Sequence, residues 1–115
     1  MANADDIRGA LAKWIQALDD PEVAEEFEGY NKTMQFIFPD IDMKMQLVFD
    51  GPQATIVDGF NEKADMSLTV NSDLFIGISE GEVDPMDAFM EGKLKTAGDI
   101  PSLEKLQVFM DVDLD

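Results

Sequence analysis

The spacing of apolar residues changes along this chain, and that change limits the fold more than any other feature. From Ile7 the apolar positions Ala10, Leu11, Trp14, Ile15 and Leu18 recur at helical spacing, one stripe on a helix over 5–19. Asp5 and Asp6 suit its N-terminus by capping and by the helix dipole. Asp20-Pro21 ends it and opens a short second helix over 22–28, with Val23 and Phe27 on one side and Gly29 as the stop. The period then falls to two. Met34, Phe36 and Phe38 alternate with Thr33, Gln35 and Ile37. Beyond Pro39-Asp40, Met43, Met45, Leu47 and Phe49 alternate with Asp42, Lys44, Gln46 and Val48. This is the pattern of a hairpin with one buried face. After the turn Asp50-Gly51-Pro52 comes a third strand over 53–57, and Met66, Leu68 and Val70 mark a fourth.

The second half alternates helices with one more strand. Asn71 can cap a helix over 72–80 with Leu74, Phe75 and Ile78 on its apolar side, and Gly81 ends it. Asp84 as cap and Pro85 at the first position open the next helix, which Gly92 closes. A fifth strand spans 93–97. Asp99 and Pro101 start a last helix with Leu103, Leu106 and Met110 on one side. This order predicts an α+β fold with helices on one face of a sheet. The 115 residues contain no linker, repeat or low-complexity tract, so 1–115 reads as a single domain. A chain of this length can bury a core without staples.

Composition removes whole classes of chemistry. With no cysteine and no histidine, the Ser-His and Cys-His nucleophile pairs cannot form within the chain. Twenty-five Asp and Glu against eight Lys and Arg give a net charge of −17. A nucleic-acid binder needs the opposite sign, and such a field repels anionic lipid surfaces. We expect a highly soluble surface; an acidic face for a basic partner is the alternative. The N-terminus has no secretory pattern, and no apolar run approaches the ~20 residues of a membrane span. A cytoplasmic protein is expected.

Asp111, Asp113 and Asp115 echo the opening of a calcium loop, but the glycine and distal glutamate of that loop do not follow, so they read as an acidic tail and no metal is expected. The carboxylate pairs Asp19-Asp20, Asp40 with Asp42, and Glu80 with Glu82 fall at element ends, where they cap or meet water. Lys93 and Lys95 share a strand face as solvated edge residues. No glycine motif for phosphate occurs. No catalytic residue, no enzymatic activity and no cofactor are expected.

Eight methionines and eight phenylalanines stand beside one tryptophan and one tyrosine. Methionine adapts its shape to varied apolar partners. Residues 84–100 read DPMDAFMEGKLKTAGDI, with Gly81 before them and a leucine-spaced helix after. This resembles the C-terminal signature of the sterol carrier protein 2 family: Asp84-Pro85, Ala88-Phe89-Met90, Gly92-Lys93 and Gly98 occur in the family's order. Upstream, Asp65-Met66-Ser67-Leu68-Thr69 before Asp73-Leu74-Phe75 is similar to the family's strand-to-helix passage.

The resemblance implies a five-stranded, mostly antiparallel sheet covered on one face by helices and enclosing a hydrophobic cavity. It also implies an apolar tunnel for fatty acyl chains, fatty acyl-CoA, sterol-like or quinone-like lipids. Phe36, Met45, Phe75, Ile78, Met86, Phe89, Met90, Leu103, Leu106 and Met110 are then the candidate ligand-binding residues. The expected function is non-enzymatic binding and carriage of a small hydrophobic lipid. The alternative is an accessory domain whose apolar groove binds a partner protein. Two departures bear on this. Eukaryotic relatives often end in a Ser-Lys-Leu-type address, whereas this chain ends Val112-Asp113-Leu114-Asp115. Relatives proposed to dock on membranes are often basic, so no stable binding to anionic membranes is expected of this acidic chain.

Overall fold

The computed structural model describes residues 3–98. The helix expected from Asp99-Pro101 and the acidic tail lie outside the described residues. Helix α1 (Ala4–Ala17) starts from a capping box. The Asn3 side chain accepts from the Asp6 N–H at 2.9 Å, and the Asp6 carboxylate accepts from the Asn3 N–H at 3.1 Å. Asn3 rather than Asp5 is therefore the cap, and Asp6 closes the box. In α2 (Pro21–Glu26) the cap is Asp20, whose carboxylate accepts from the Glu22 N–H at 2.9 Å.

Five strands follow: β1 (Thr33–Phe38), β2 (Met43–Asp50), β3 (Gln53–Asp58), β4 (Met66–Val70) and β5 (Leu94–Gly98). Between the last two run α3 (Ser72–Ser79) and α4 (Pro85–Met90). The strands form one open sheet in the order β3-β2-β1-β4-β5. Three neighbouring pairs are antiparallel, and β1 with β4 is parallel. The fold is α+β with a mostly antiparallel sheet, as expected.

Alternation along the strands divides the two faces. Met34, Phe36 and Phe38 of β1, Met45, Leu47 and Phe49 of β2, Met66, Leu68 and Val70 of β4, and Leu94 of β5 are buried on one face. From the helices, Ile7, Leu11 and Trp14 of α1 and Phe75 and Ile78 of α3 join the same core. Trp14 lies at its centre, its ring 6.0 Å from Phe36 and 5.2 Å from Phe75, centroid to centroid. Phe75 also meets Phe36 at 5.4 Å and Phe38 at 5.2 Å, both edge to face. Such pairs add about 0.5–1.5 kcal/mol each beyond area burial. A second cluster stacks Phe27 on Phe49 at 5.1 Å with Tyr30 edge-on to both.

The other face carries a buried polar patch. The connection from β3 to β4 must pass β2 and β1 to reach its place in the sheet. Asn61 in this crossover donates its backbone N–H to the Gln35 carbonyl at 2.5 Å and its side-chain amide to Gln46 at 3.2 Å. Gln35 donates to Ser67 at 3.0 Å, and Gln46 donates to the Gly59 carbonyl at 3.3 Å. Gln35 and Gln46, register partners on β1 and β2, are buried by this arrangement.

Glycine is required where the chain turns left. Gly92, after α4, has φ 77° and marks the helix stop as expected. Gly98 has φ 90°, and a Cβ there would sit 2.3 Å from the Asp65 carbonyl oxygen, so β5 can lie beside β4 only without a side chain at that position.

Candidate functional site

The helix-facing side of the sheet brings part of the candidate set together. Strand registers align Met45 with Phe36, Phe36 with Leu68 and Leu68 with Thr96, a row running from β2 to β5. Phe36, Met45, Phe75 and Ile78 are all buried in the shared core. Met86 of α4 is half-buried and packs against that core. Phe89 and Met90 stand apart: they are 37% and 80% exposed, so α4 presents them outward. The residues α4 buries are Pro85 and Ala88, which lets the helix lie close against β5. Leu103, Leu106 and Met110 lie outside the described residues.

Leu68, Trp14 and Thr96, all beyond the candidate set, also belong to this wall. Trp14 touches both Phe36 and Phe75; its place in the stripe of α1 put it inside, but nothing in the sequence paired it with them. Thr96 shares the inward side of β5 with Leu94, a placement already present in the alternation Leu94-Lys95-Thr96. Its Oγ1 is buried and has no hydrogen-bond partner among the described residues.

Open surface grooves lie elsewhere. One of about 260 Å³ runs between α1 and α3, lined by Asp5, Asp6, Gly9, Ala10, Lys13, Ile76, Ser79 and Glu80. Another, of about 190 Å³, sits at the end of the sheet beside Pro39, Thr69, Asn71, Lys93 and Lys95. Lys93 pairs with Glu91 at 3.0 Å, and both side chains are mostly exposed. Among the described residues no group of three or more acidic side chains could hold a metal ion, and no helix is long and apolar enough to cross a membrane.

The start of α3 departs from expectation. Asn71 is its N-cap residue, but its side chain makes no capping hydrogen bond. The Ser72 N–H and hydroxyl instead donate to the two oxygens of Asp40, at 2.9 and 2.5 Å. The Ser72 hydroxyl, more than any other contact, holds the Asp40 carboxyl below the usual aspartate range. This tie fixes α3, and with it Phe75 and Ile78, over the β1–β2 hairpin.

The sequence model described as the SCP-2 sterol transfer family matches residues 11–111. No curated protein matches the chain in sequence. Among solved structures, the sterol carrier protein domain 2 of Helicoverpa armigera is similar with a TM-score of 0.71 at 18% identity, over 97% of this chain and 96% of that one. The apo form of sterol carrier protein 2 from Yarrowia lipolytica aligns with a TM-score of 0.58 at 23% identity, over 85% of this chain and 88% of that one. The sec-alkylsulfatase Pisa1 from Pseudomonas sp. is similar with a TM-score of 0.64 at 24% identity, over 76% of this chain but only 13% of that one. The chain thus spans a small part of the sulfatase and aligns with nearly all of the Helicoverpa domain.

Proposed function

The chain belongs to the SCP-2 sterol transfer family, and from that premise we propose that it is a non-enzymatic, cytoplasmic carrier of a single hydrophobic ligand. The ligand is a fatty acyl chain, a fatty acyl-CoA, or a sterol-like or quinone-like lipid. It lies between the helix-facing side of the sheet and the helices. Phe36, Met45, Phe75 and Ile78 form the inner wall, and Met86, Phe89 and Met90 form the approach along α4. Leu103, Leu106 and Met110, outside the described residues, are assigned to ligand binding on the resemblance of their segment alone.

The observation that carries this reading is the unbroken apolar row Met45, Phe36 and Leu68 beneath the helices, in a chain of this family. Apolar sites with few polar groups select by shape, which suits loose selectivity among lipids. Delipidated, refolded protein is expected to bind a fluorescent fatty acid with micromolar or better affinity and to release it to natural long-chain lipids. Failure with every member of a panel of acyl chains, acyl-CoA, sterols and quinones overturns the reading.

The exposed Phe89 and Met90 favour one second reading, an accessory domain whose apolar surface seats a protein partner. The similarity to a small part of a far longer sulfatase chain is in keeping with it. Mass spectrometry of the natively purified protein separates the two: a co-purified lipid supports the carrier, and a protein-sized adduct supports the accessory domain.

A further inference from the structure

Thr96 ends an apolar row with one hydroxyl. Its register partner Leu68, and Phe36 and Met45 beyond, are buried on the helix side, as is Leu94 two residues earlier on the same strand. Among the described residues, the Thr96 Oγ1 is buried with no hydrogen-bond partner. Native proteins rarely leave such a group unmatched, and a bound group that supplies the missing partner is one physical reason for an exception. The contrast within this molecule is direct. The buried Gln35, Gln46 and Ser72 side chains all have partners.

The charges nearby narrow what that partner is. An anion buried beside a single hydroxyl is strongly disfavoured unless a cation comes with it. Arg8 pairs with Asp58 on β3, at the opposite edge of the sheet. Lys93 pairs with Glu91. Lys95 alternates with Leu94 and Thr96 and so follows the other face. Lys13 and Lys63 are exposed, and Lys32 and Lys44 lie over the Tyr30 and Phe60 rings. Among the described residues, no cation makes a hydrogen bond to the hydroxyl.

Resting on the lipid-carrier reading above, the geometry points to Thr96 as the polar anchor of the site, hydrogen-bonding a neutral oxygen at the end of an otherwise apolar ligand. The class of head group is an alcohol, an ester or a ketone. A carboxylate is the less suited head.

The test uses the delipidated full chain and displacement of bound diphenylhexatriene by dodecan-1-ol, methyl dodecanoate, dodecanoate and dodecane. Each affinity is compared between wild type, Thr96→Val and Thr96→Ser. Thr96→Val is expected to weaken dodecan-1-ol and the methyl ester about three- to tenfold, the worth of one neutral hydrogen bond. Dodecane should stay within about twofold, since its apolar contacts are kept. Thr96→Ser keeps a hydroxyl and should retain dodecan-1-ol binding. The Thr96→Val melting temperature should equal or exceed that of wild type. Equal weakening of all four ligands, no weakening of any, or a lowered melting temperature makes the hydroxyl structural or idle and overturns the anchor. A loss confined to dodecanoate overturns the neutral head group. If wild type itself binds none of the four, the anchor is overturned, and the carrier reading falls with it only if acyl-CoA, sterols and quinones fail as well; a failure seen only between variants removes the anchor and leaves the carrier.

Discussion

A single carboxylate, Asp40, links the hairpin to the helix that carries Phe75 and Ile78. It lies in the β1–β2 turn, yet it serves the start of α3 by accepting from both the backbone and the hydroxyl of Ser72. Asp40 itself is exposed, so the bond competes with water, and its worth is that of an ordinary helix cap. Asp40→Ala is expected to destabilise the fold by about 1 kcal/mol near neutral pH. The pH dependence follows from the direction of the shift. Ser72 favours the ionised carboxyl, so its pKa is lower in the folded chain than in the unfolded one. The stabilisation is therefore complete above the unfolded value of about 3.9 and is lost as the pH falls through the folded value. Thermal melts of wild type and Asp40→Ala should differ at neutral pH and converge in strong acid. A gap that persists unchanged at low pH would mean that the charge of Asp40 plays no part. The sequence pointed to Asn71 because helix caps are read from adjacent residues. A cap supplied from 32 residues away leaves no local trace.

Whole elements were legible wherever a wholly apolar face alternates with a more polar one. The strands at Met34–Phe38 and Met45–Phe49 declare themselves by alternation, and caps with Pro at the first turn declare α2 and α4. Two features did not show. The first is which way α4 faces. Met86, Phe89 and Met90 share a helical stripe, which normally marks the buried side. In a helix of six residues that packs through Pro85 and Ala88, Met86 still meets the core while Phe89 and Met90 turn out. The second is the crossover over residues 59–65, whose composition says nothing of the face it crosses. Gln35 and Gln46 read as outward-facing polar residues, and they become buried only because Asn61 and its neighbours cover them. The parallel pairing of β1 with β4 depends on that covered crossing. Asn61→Ala leaves the Gln46 carbonyl without its donor while sparing the backbone bond to Gln35. We expect a loss of about 1–2 kcal/mol, the range for a partly buried amide left unmatched. Urea denaturation should show a lowered midpoint at an unchanged slope. An unmoved midpoint would mean that the crossover is held by its backbone contacts alone.

At the scale of the molecule, the apolar interior and the acidic exterior make opposite demands on a lipid carrier. On the carrier reading proposed above the interior takes up an apolar ligand, while a net charge of −17 opposes approach to an anionic bilayer. The distances decide when this matters. The molecule measures 35 × 32 × 28 Å, and the Debye length is about 30 Å at 0.01 M salt but about 10 Å at 0.1 M. In dilute salt the whole charge therefore acts on an approaching vesicle, and at higher salt only the nearest surface does. Transfer of a fluorescent fatty acid to anionic vesicles should speed up as salt is added. Transfer to neutral vesicles should change little, and it controls for the strengthening of apolar association by salt. A carrier with a local basic dock behaves the other way on anionic vesicles, fast in dilute salt and slower as screening grows. The groove beside Lys93 and Lys95 is the place to look for such a dock. Lys93 already pairs with Glu91 at its rim, which weakens the local positive field, and the acceleration with salt is expected to hold. A slowing with salt that Lys95→Gln abolishes would make these lysines the docking point and overturn their reading as solvated edge residues.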